Sequence, residues 1–401
     1  MYKGLLLIIF TLPCFGMSLQ EIVNSFDIVD TVPRLENSVS YIDNVALRGG
    51  QTQDQSSGDI DSEVEVRLSL KGLKEQEQLE QLYNNQQKRL EADRLTSLNK
   101  ELGLVYRLFL KLYFGKTEVE KLKKLKVIFQ DEIKVLNVYI KKDNAYISDL
   151  ISAEKKSHEV EKQLTLKQKE LSRQLELLSA LLEKKLSLNN IPQREKLLSL
   201  KNLVKTIREE KTEIIRENLE LERAKLEYEI EVGDNSKLFD FIQFDVDRRN
   251  AFSDTNDLET RVGFTIAVNL PFLREKSKVN EKFINKLKAE YTARYEQKAT
   301  VATLDQIKTS VLSNAQSLEK LLESSYLATA KKYLKTYQRS KGVDPLKLLT
   351  LNHTIVEGEV EQAQLTSQLY ISYISYLEER GVLAKYPKKN VIASNFREVL
   401  L

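Results

Sequence analysis

From residue 74 to residue 140 apolar side chains recur at spacings of three, four and seven, Leu79, Leu82, Leu98, Leu102, Val105, Leu112, Val119 and Leu136 among them, with no proline between. Such spacings place one apolar stripe along a helix. At about 1.5 Å per residue that helix is roughly 100 Å long, too long for a globular core to bury. It must lie lengthwise against others like it, in coiled-coil fashion. The polar break Lys141-Lys142-Asp143-Asn144 ends it, and a second helical pattern covers 145–189 up to Asn189-Asn190-Ile191-Pro192. A third covers 194–231 and stops at Gly233-Asp234-Asn235.

The texture then changes to period 2. Val262, Phe264, Ile266, Val268 and Leu270 alternate with Arg261, Gly263, Thr265, Ala267 and Asn269, and Lys237–Arg248 can pair with them across the polar tip Asn250–Asp257. This alternation fits a tilted transmembrane barrel strand; a half-buried strand of a soluble sandwich would alternate in the same way. The pattern occurs twice. Val64, Val66, Leu68 and Leu70 alternate with Glu63, Glu65, Arg67 and Ser69, and Ser40–Leu47 can pair with them across Arg48–Asp61.

Each hairpin, 40–70 and 237–270, precedes a long helix (74–140 and 272–340), a turn and a helix back (145–189 and 344–383). The chain therefore reads as a duplication, with repeat 1 at 40–193 and repeat 2 at 194–383. A short helix and linker (18–39) and a tail (384–401) flank the repeats. The fold class expected is mainly α with a small β part. Two hairpins alone would leave bare strand edges in lipid. Several copies must pool their strands into one shared barrel, and helices this long and charged must project into water.

The N-terminus strengthens an exported reading. Met1-Tyr2-Lys3 supplies a positive start, Gly4–Phe15 is apolar but too short to span a bilayer, and cleavage after Gly16 or near Ser18 would remove a signal peptide of about residues 1–17. Cys14 would leave with it, since Thr11-Leu12-Pro13 matches a lipobox poorly. No later segment is apolar for 18 residues, so any membrane crossing must use strands.

Composition narrows the chemistry. Two His and one Cys are too few for a structural zinc site or an iron–sulfur cluster. Lys+Arg at 62 against Asp+Glu at 59, interleaved, gives no one-sided basic patch and no argument for nucleic acid. No GxSxG, P-loop or GxGxxG occurs, and the chain is expected to be no enzyme and to need no cofactor or metal. His158 and His353 read as solvated or partly packed helix residues, and Glu209-Glu210 and Glu378-Glu379 as solvated pairs.

Three segments carry a resemblance to a known family. Thr260–Asn280 (TRVGFTIAVNLPFLREKSKVN), Tyr337–Leu383 (with GVDPLKLL at its turn and GVL at its end) and Ala145–Leu182 resemble the last strand, the C-terminal turn and ascending helix, and the first-repeat counterpart of TolC-like outer-membrane efflux proteins, also called outer membrane factors. The likeness covers most of residues 60–383. It implies a homotrimer with a shared transmembrane β-barrel in outer-membrane lipid and a periplasmic α-helical tunnel. The implied role is a passive channel in a tripartite efflux or type I secretion system, with a periplasmic adaptor and an inner-membrane transporter as partners. The likeness departs before the first hairpin, where the family has a long helix and this chain offers only Leu19–Asp30 ahead of Pro33. Three long helices per protomer are expected where the family has four.

The turns at the ends of the long helices are the candidate site, because charged rings at a constriction set ion preference and gating. Aligned on Gly342, the family's acidic entrance positions fall near Lys347 and Thr350, so the acids expected nearby are Asp344, Asp143 and Asp149. Asp344 before Pro345 also reads as a helix N-cap. Gly342, Leu346, Leu348 and Leu349, with Ile147 and Leu150 in the first repeat, are the expected adaptor-docking tips; these leucines also suit packing within the helix pair. The rival expectation is a periplasmic coiled-coil scaffold or adaptor with no barrel. A secreted filament would suit the helices but not a repeated amphipathic hairpin.

Overall fold

A computed structural model describes residues 17–25, 34–35, 42–53, 60–71, 73–141, 143–192, 195–209, 218–237, 239–250, 258–268, 276–340, 342–394 and 396. The leader expected over residues 1–17 lies outside them up to Gly16, as do 54–59 and 251–257 at the hairpin tips; the first loop, expected over Arg48–Asp61, is strand at 48–53 and 60–61, because the alternation of faces continues through it. The chain divides into two compact units. One comprises Met1–Asp30, Leu95–Ile214 and Thr300–Leu401, the other Thr31–Arg94 and Ile215–Ala299.

The second unit holds the strands β1 (Ile42–Gln53), β2 (Ile60–Leu70), β3 (Phe239–Asn250) and β4 (Leu258–Val268), which form one antiparallel four-stranded sheet in the order β1-β2-β3-β4. Register follows the alternation. Val45, Leu68, Ile242 and Ile266 lie in one row across the strands, Leu47, Val66, Phe244 and Phe264 in the next, and Gly49, Val64, Val246 and Val262 in a third. The other face carries Arg48, Glu65, Asp245 and Gly263 in one row and Gly50, Glu63, Asp247 and Arg261 in another. The Asp245 carboxylate lies over Gly263, in the space that a Cβ would fill. Gly263 thus makes room for the charged row.

Helix α1 is Leu19–Ser25, and α2 runs unbroken from Leu73 to Ile140. Helix α3 (Ile147–Leu181) stops short of residue 189: Glu183 takes a positive φ of 50°, and Ser187 donates both its amide and its hydroxyl to Asn190 Oδ1, at 2.7 Å each, around a short 3-10 turn. Side chains of these types offer the backbone a local alternative to the helix. The helix expected over 194–231 starts later, as α4 (Leu200–Glu209), and α5 spans Leu219–Ser236; residues 210–217 lie outside the described set. Asn218 caps α5 by accepting from the Leu221 amide at 2.9 Å. The expected stop at Gly233 is overridden. Glycine inside a helix costs only about 1 kcal/mol, and α2 packs there, with Gln78 Oε1 at 3.5 Å from a Cβ on Gly233.

The helix expected over 272–340 is likewise two, α6 (Ser277–Leu322) and α7 (Ser325–Tyr337). Ser324 is extended between them, with its hydroxyl donating to Leu321 O at 2.6 Å. Helix α8 (Pro345–Glu379) ends at left-handed Gly381, followed by α9 (Val382–Lys385).

The core of the first unit is aromatic: Tyr106, Phe109, Tyr373 and Tyr376 are all buried. Residues 386–394 and 396 are no loose tail. Val391, Ile392 and Phe396 are buried, Leu198 N donates to Ile392 O at 2.8 Å, Leu197 bridges Ala393, and Asn390 N donates to Gln20 Oε1 at 2.9 Å. Helices approach closely at glycines. A Cβ on Gly358 of α8 would stand 2.5 Å from Leu327 Cδ2 of α7, and one on Gly115 of α2 as near to Leu171 of α3. Gly358→Val should therefore lower stability by about 1–3 kcal/mol through overpacking, read as a lower urea midpoint, whereas Leu327→Ala in the same chain should relieve part of that loss.

Candidate functional site

The two turns expected to matter meet within the first unit. At the end of α2, Asp143 N donates to Tyr139 O at 2.9 Å, and Asp143 Oδ1 accepts from Ala145 N at 3.0 Å, starting the short turn Asn144–Tyr146 that leads into α3. Past α7, Gly342 adopts φ 77°, which only glycine enters without strain. Asp344 then caps α8: its Oδ1 accepts from Leu346 N at 2.9 Å, its carbonyl accepts from Lys347 N at 3.1 Å, and Pro345 occupies the first turn.

Tyr139 ties the turns together. Its hydroxyl donates to Asp344 Oδ1 at 3.1 Å, and its ring meets Tyr146 edge-on at 5.4 Å. Sequence reading missed Tyr139, because nothing in the last turn of a long helix says which partner a phenol will find. The hydrogen bond to Asp344, more than partial burial or the nearby charge, holds the Tyr139 pKa above its ordinary value of 10.0. The bond needs the neutral phenol, so its contribution is complete below the free tyrosine pKa and is lost as pH rises through the higher folded value. In a spectroscopic titration Asp344→Asn should bring one tyrosine back toward the ordinary range. An unchanged titration would contradict the contact. Asp344→Ala also removes the cap, at a cost of about 1 kcal/mol in helix stability.

Asp143, Asp149, Lys347 and Thr350 are exposed, while Asp344 is half-buried in its capping role. Thr350 Oγ1 donates to Leu346 O at 2.9 Å, so its hydroxyl is occupied within α8. Ile147 is 45% exposed, and Ile151, four residues further along α3, is 61% exposed. Leu150, Leu346, Leu348 and Leu349 are half-buried. Leu346, Lys347, Thr350 and Leu351 line a shallow groove of about 340 Å³ with Tyr333 and Tyr337 of α7. The two tyrosines are a second omission of the sequence reading. Their rings sit 5.9 Å apart at i, i+4 spacing, which a search for aromatic pairs near the turn would have found.

A larger groove of about 510 Å³ lies among α2, α3 and α8 around buried Glu118. Lys167 Nζ pairs with Glu118 Oε2 at 2.9 Å, and Gln364 Nε2 donates to Oε1 at 2.6 Å. Partial burial pushes the Lys167 pKa down, but Glu118 and Glu170 together outweigh it and the net direction is up. The lysine stays charged, and the groove is a packed polar node rather than a site for chemistry.

The expectation for Glu378 is corrected. Glu378 is not a solvated acid: its side chain pairs with Arg107 and fills the space above Gly103. His353 is buried against the Phe129 ring at 5.3 Å, with Nδ1 3.5 Å from Glu132 Oε2, whereas His158 is exposed. Among the described residues no group of three or more His, Cys, Asp or Glu could hold a metal, and no helix is long and apolar enough to cross a membrane.

No family model matches the sequence, and no curated protein matches it. Solved structures do match. CusC, studied for transmembrane channel formation, superposes with a TM-score of 0.58 at 10% identity over 84% of this chain and 82% of that one. The CmeC outer membrane channel of Campylobacter jejuni gives 0.57 at 11% identity over 88% and 80%. The open state of the MtrE outer membrane channel of Neisseria gonorrhoeae gives 0.53 at 11% over 88% and 81%. The sheet with alternating faces, the duplicated hairpin-and-helix order and these superpositions agree: the chain has the TolC-like fold of outer-membrane channels.

Proposed function

We propose that this protein is the outer-membrane channel component of an efflux or type I secretion system, a passive conduit formed by a homotrimer whose helices stand in the periplasm. One observation carries this reading. The sheet exposes an apolar face, with Leu47 at 73%, Val262 at 75% and Phe264 at 56% exposure, and among the described residues β1 and β4 each pair with a strand on one side only. In water such a face would aggregate and such edges would recruit any strand. In lipid the face is at home, and the edges are satisfied once neighbouring copies close the sheet into a barrel.

The two turns joined by Tyr139 then act as the entrance. Asp143, Asp149 and Asp344 supply acids there, and Lys347 and Thr350 stand beside them. Ile147, Leu150, Leu346, Leu348 and Leu349 near Gly342 give an apolar surface for a helical adaptor that leads to an inner-membrane transporter. Nothing in the chain's motifs suggests nucleotide binding, so energy would come from that partner. The deciding experiment measures oligomer mass and planar-bilayer conductance on detergent-purified protein. Trimers that conduct are expected; monomers would defeat the reading. Release from membranes by carbonate or high salt without detergent would favour the periplasmic scaffold instead.

A further inference from the structure

The two repeats are unequal in the second unit, and the inequality exposes a surface. Helix α5, which precedes β3, stands between the helices that follow the two hairpins. Toward α2, Asn85 Nδ2 donates to Leu219 O at 3.1 Å and to Glu222 Oε2 at 2.9 Å, and Arg89 pairs with Glu220 at 2.7 Å. Toward α6, Lys282 pairs with Glu227 at 2.9 Å, and Lys286 lies over the Tyr228 ring at 5.1 Å. By the repeat, the segment before β1 should flank α2 on its other side. Only residues 26–41 lie between α1 and β1, a stretch shorter than α5, and within it Leu35 meets α2: Tyr83 donates to its carbonyl, and its amide donates to Gln87 Oε1 at 3.1 Å. At 3.6 residues per turn, Tyr83 and Gln87 lie on the side of α2 away from Asn85 and Arg89.

Helix α6 has a matching bare side. Ile284, Tyr291 and Tyr295 share one face, about half a turn from Lys282 and Lys286, and are 50%, 70% and 74% exposed. Two tyrosines and an isoleucine aligned in this way make an interface face rather than scattered surface residues. Chain order says what covers it. Helix α6 follows β4, and Leu35 precedes β1, so along the chain the two edge strands of the sheet adjoin this stripe and Leu35. When β4 of one copy meets β1 of the next, the adjoining segments arrive at the same boundary.

We infer that the Ile284–Tyr291–Tyr295 stripe of one copy packs on Leu35 and the neighbouring α2 residue Leu90 of the next copy at the subunit boundary. Leu90 is 40% exposed, and exposed Lys288 on the stripe complements exposed Glu80 and Glu91 on α2. The inference rests on the shared-barrel reading, and its test separates the two. A photoreactive benzoylphenylalanine replaces Tyr291 in the full chain, the cell envelope is irradiated, and the oligomer mass of the same unirradiated preparation is measured. The expected product is a covalent dimer whose adduct maps near Leu35 or along residues 83–91 of the second chain. The same probe at Lys286 should give adducts only within its own chain. An intact oligomer with no Tyr291 adduct, or with an adduct on its own chain or on a different polypeptide, overturns the inference and leaves the barrel standing. A monomeric preparation overturns both.

Discussion

Phe264→Arg is expected to abolish stable membrane insertion, while Thr265→Arg, one residue along the same strand, leaves it nearly intact. Phe264 lies in the row Leu47, Val66, Phe244, Phe264, with its ring 5.0 Å from that of Phe244. An arginine on the lipid face near the midplane costs about 2–4 kcal/mol, and losing the aromatic pair adds about 0.5–1.5 kcal/mol. Each subunit of a shared barrel incurs this cost, so the effects accumulate. Thr265 lies in the row Ala46, Arg67, Gln243, Thr265 on the opposite face, where a cation stays in water. The check is the fraction of each variant that resists carbonate extraction and migrates as an oligomer. Equal behaviour of the two variants would mean that the apolar rows do not face lipid.

Tyr106→Ala is the second large effect, expected to cost about 3–5 kcal/mol. Tyr106 is buried in the first unit, and its hydroxyl does two jobs, donating to Lys389 O at 2.8 Å and accepting from Val391 N at 3.1 Å. Burial pushes its pKa well up, and the Val391 amide only partly offsets this, so the phenol stays neutral and keeps both bonds. Tyr106→Phe keeps the ring but leaves the part-buried Lys389 carbonyl and the buried Val391 amide without their partner, the amide alone costing about 1–3 kcal/mol. Urea midpoints should therefore rank wild type above Tyr106→Phe above Tyr106→Ala. Trypsin should cut after Lys388 or Lys389 sooner in both variants, because the hydroxyl pins that segment. If Tyr106→Phe matched wild type in both assays, the two bonds would carry no weight.

Much of this protein was legible along the chain because its elements are long and periodic. The stripe of α2 and the alternation at Val262–Val268 repeat often enough that local noise averages out. Asp344 before Pro345 could be read as a cap because a cap is set by residues two or three apart. Element ends were less legible. Gly233 reads as a stop, yet α2 packs on it and the helix continues. Ser324 gives too weak a signal to mark the interruption between α6 and α7. Tyr139 at the turns could not be assigned, since a phenol's partner depends on which helices come together, whereas the i, i+4 pair Tyr333 and Tyr337 was there to be read.

By itself the sequence determined the periodicities, the duplicated order of hairpin and helices, the alternation of the two strand faces and the scarcity of metal-binding side chains. These are local or statistical properties of a chain with regular dihedral periods. Tertiary structure alone decided that β2 pairs with β3 to make one sheet, that Tyr139 joins the two turns through Asp344, that Glu118 and Glu378 are paired rather than solvated, and that Val391, Ile392 and Phe396 complete the core instead of trailing from it. Each joins residues far apart along the chain, and such contacts are selected by packing and by satisfying buried polar groups, which no short window of sequence contains.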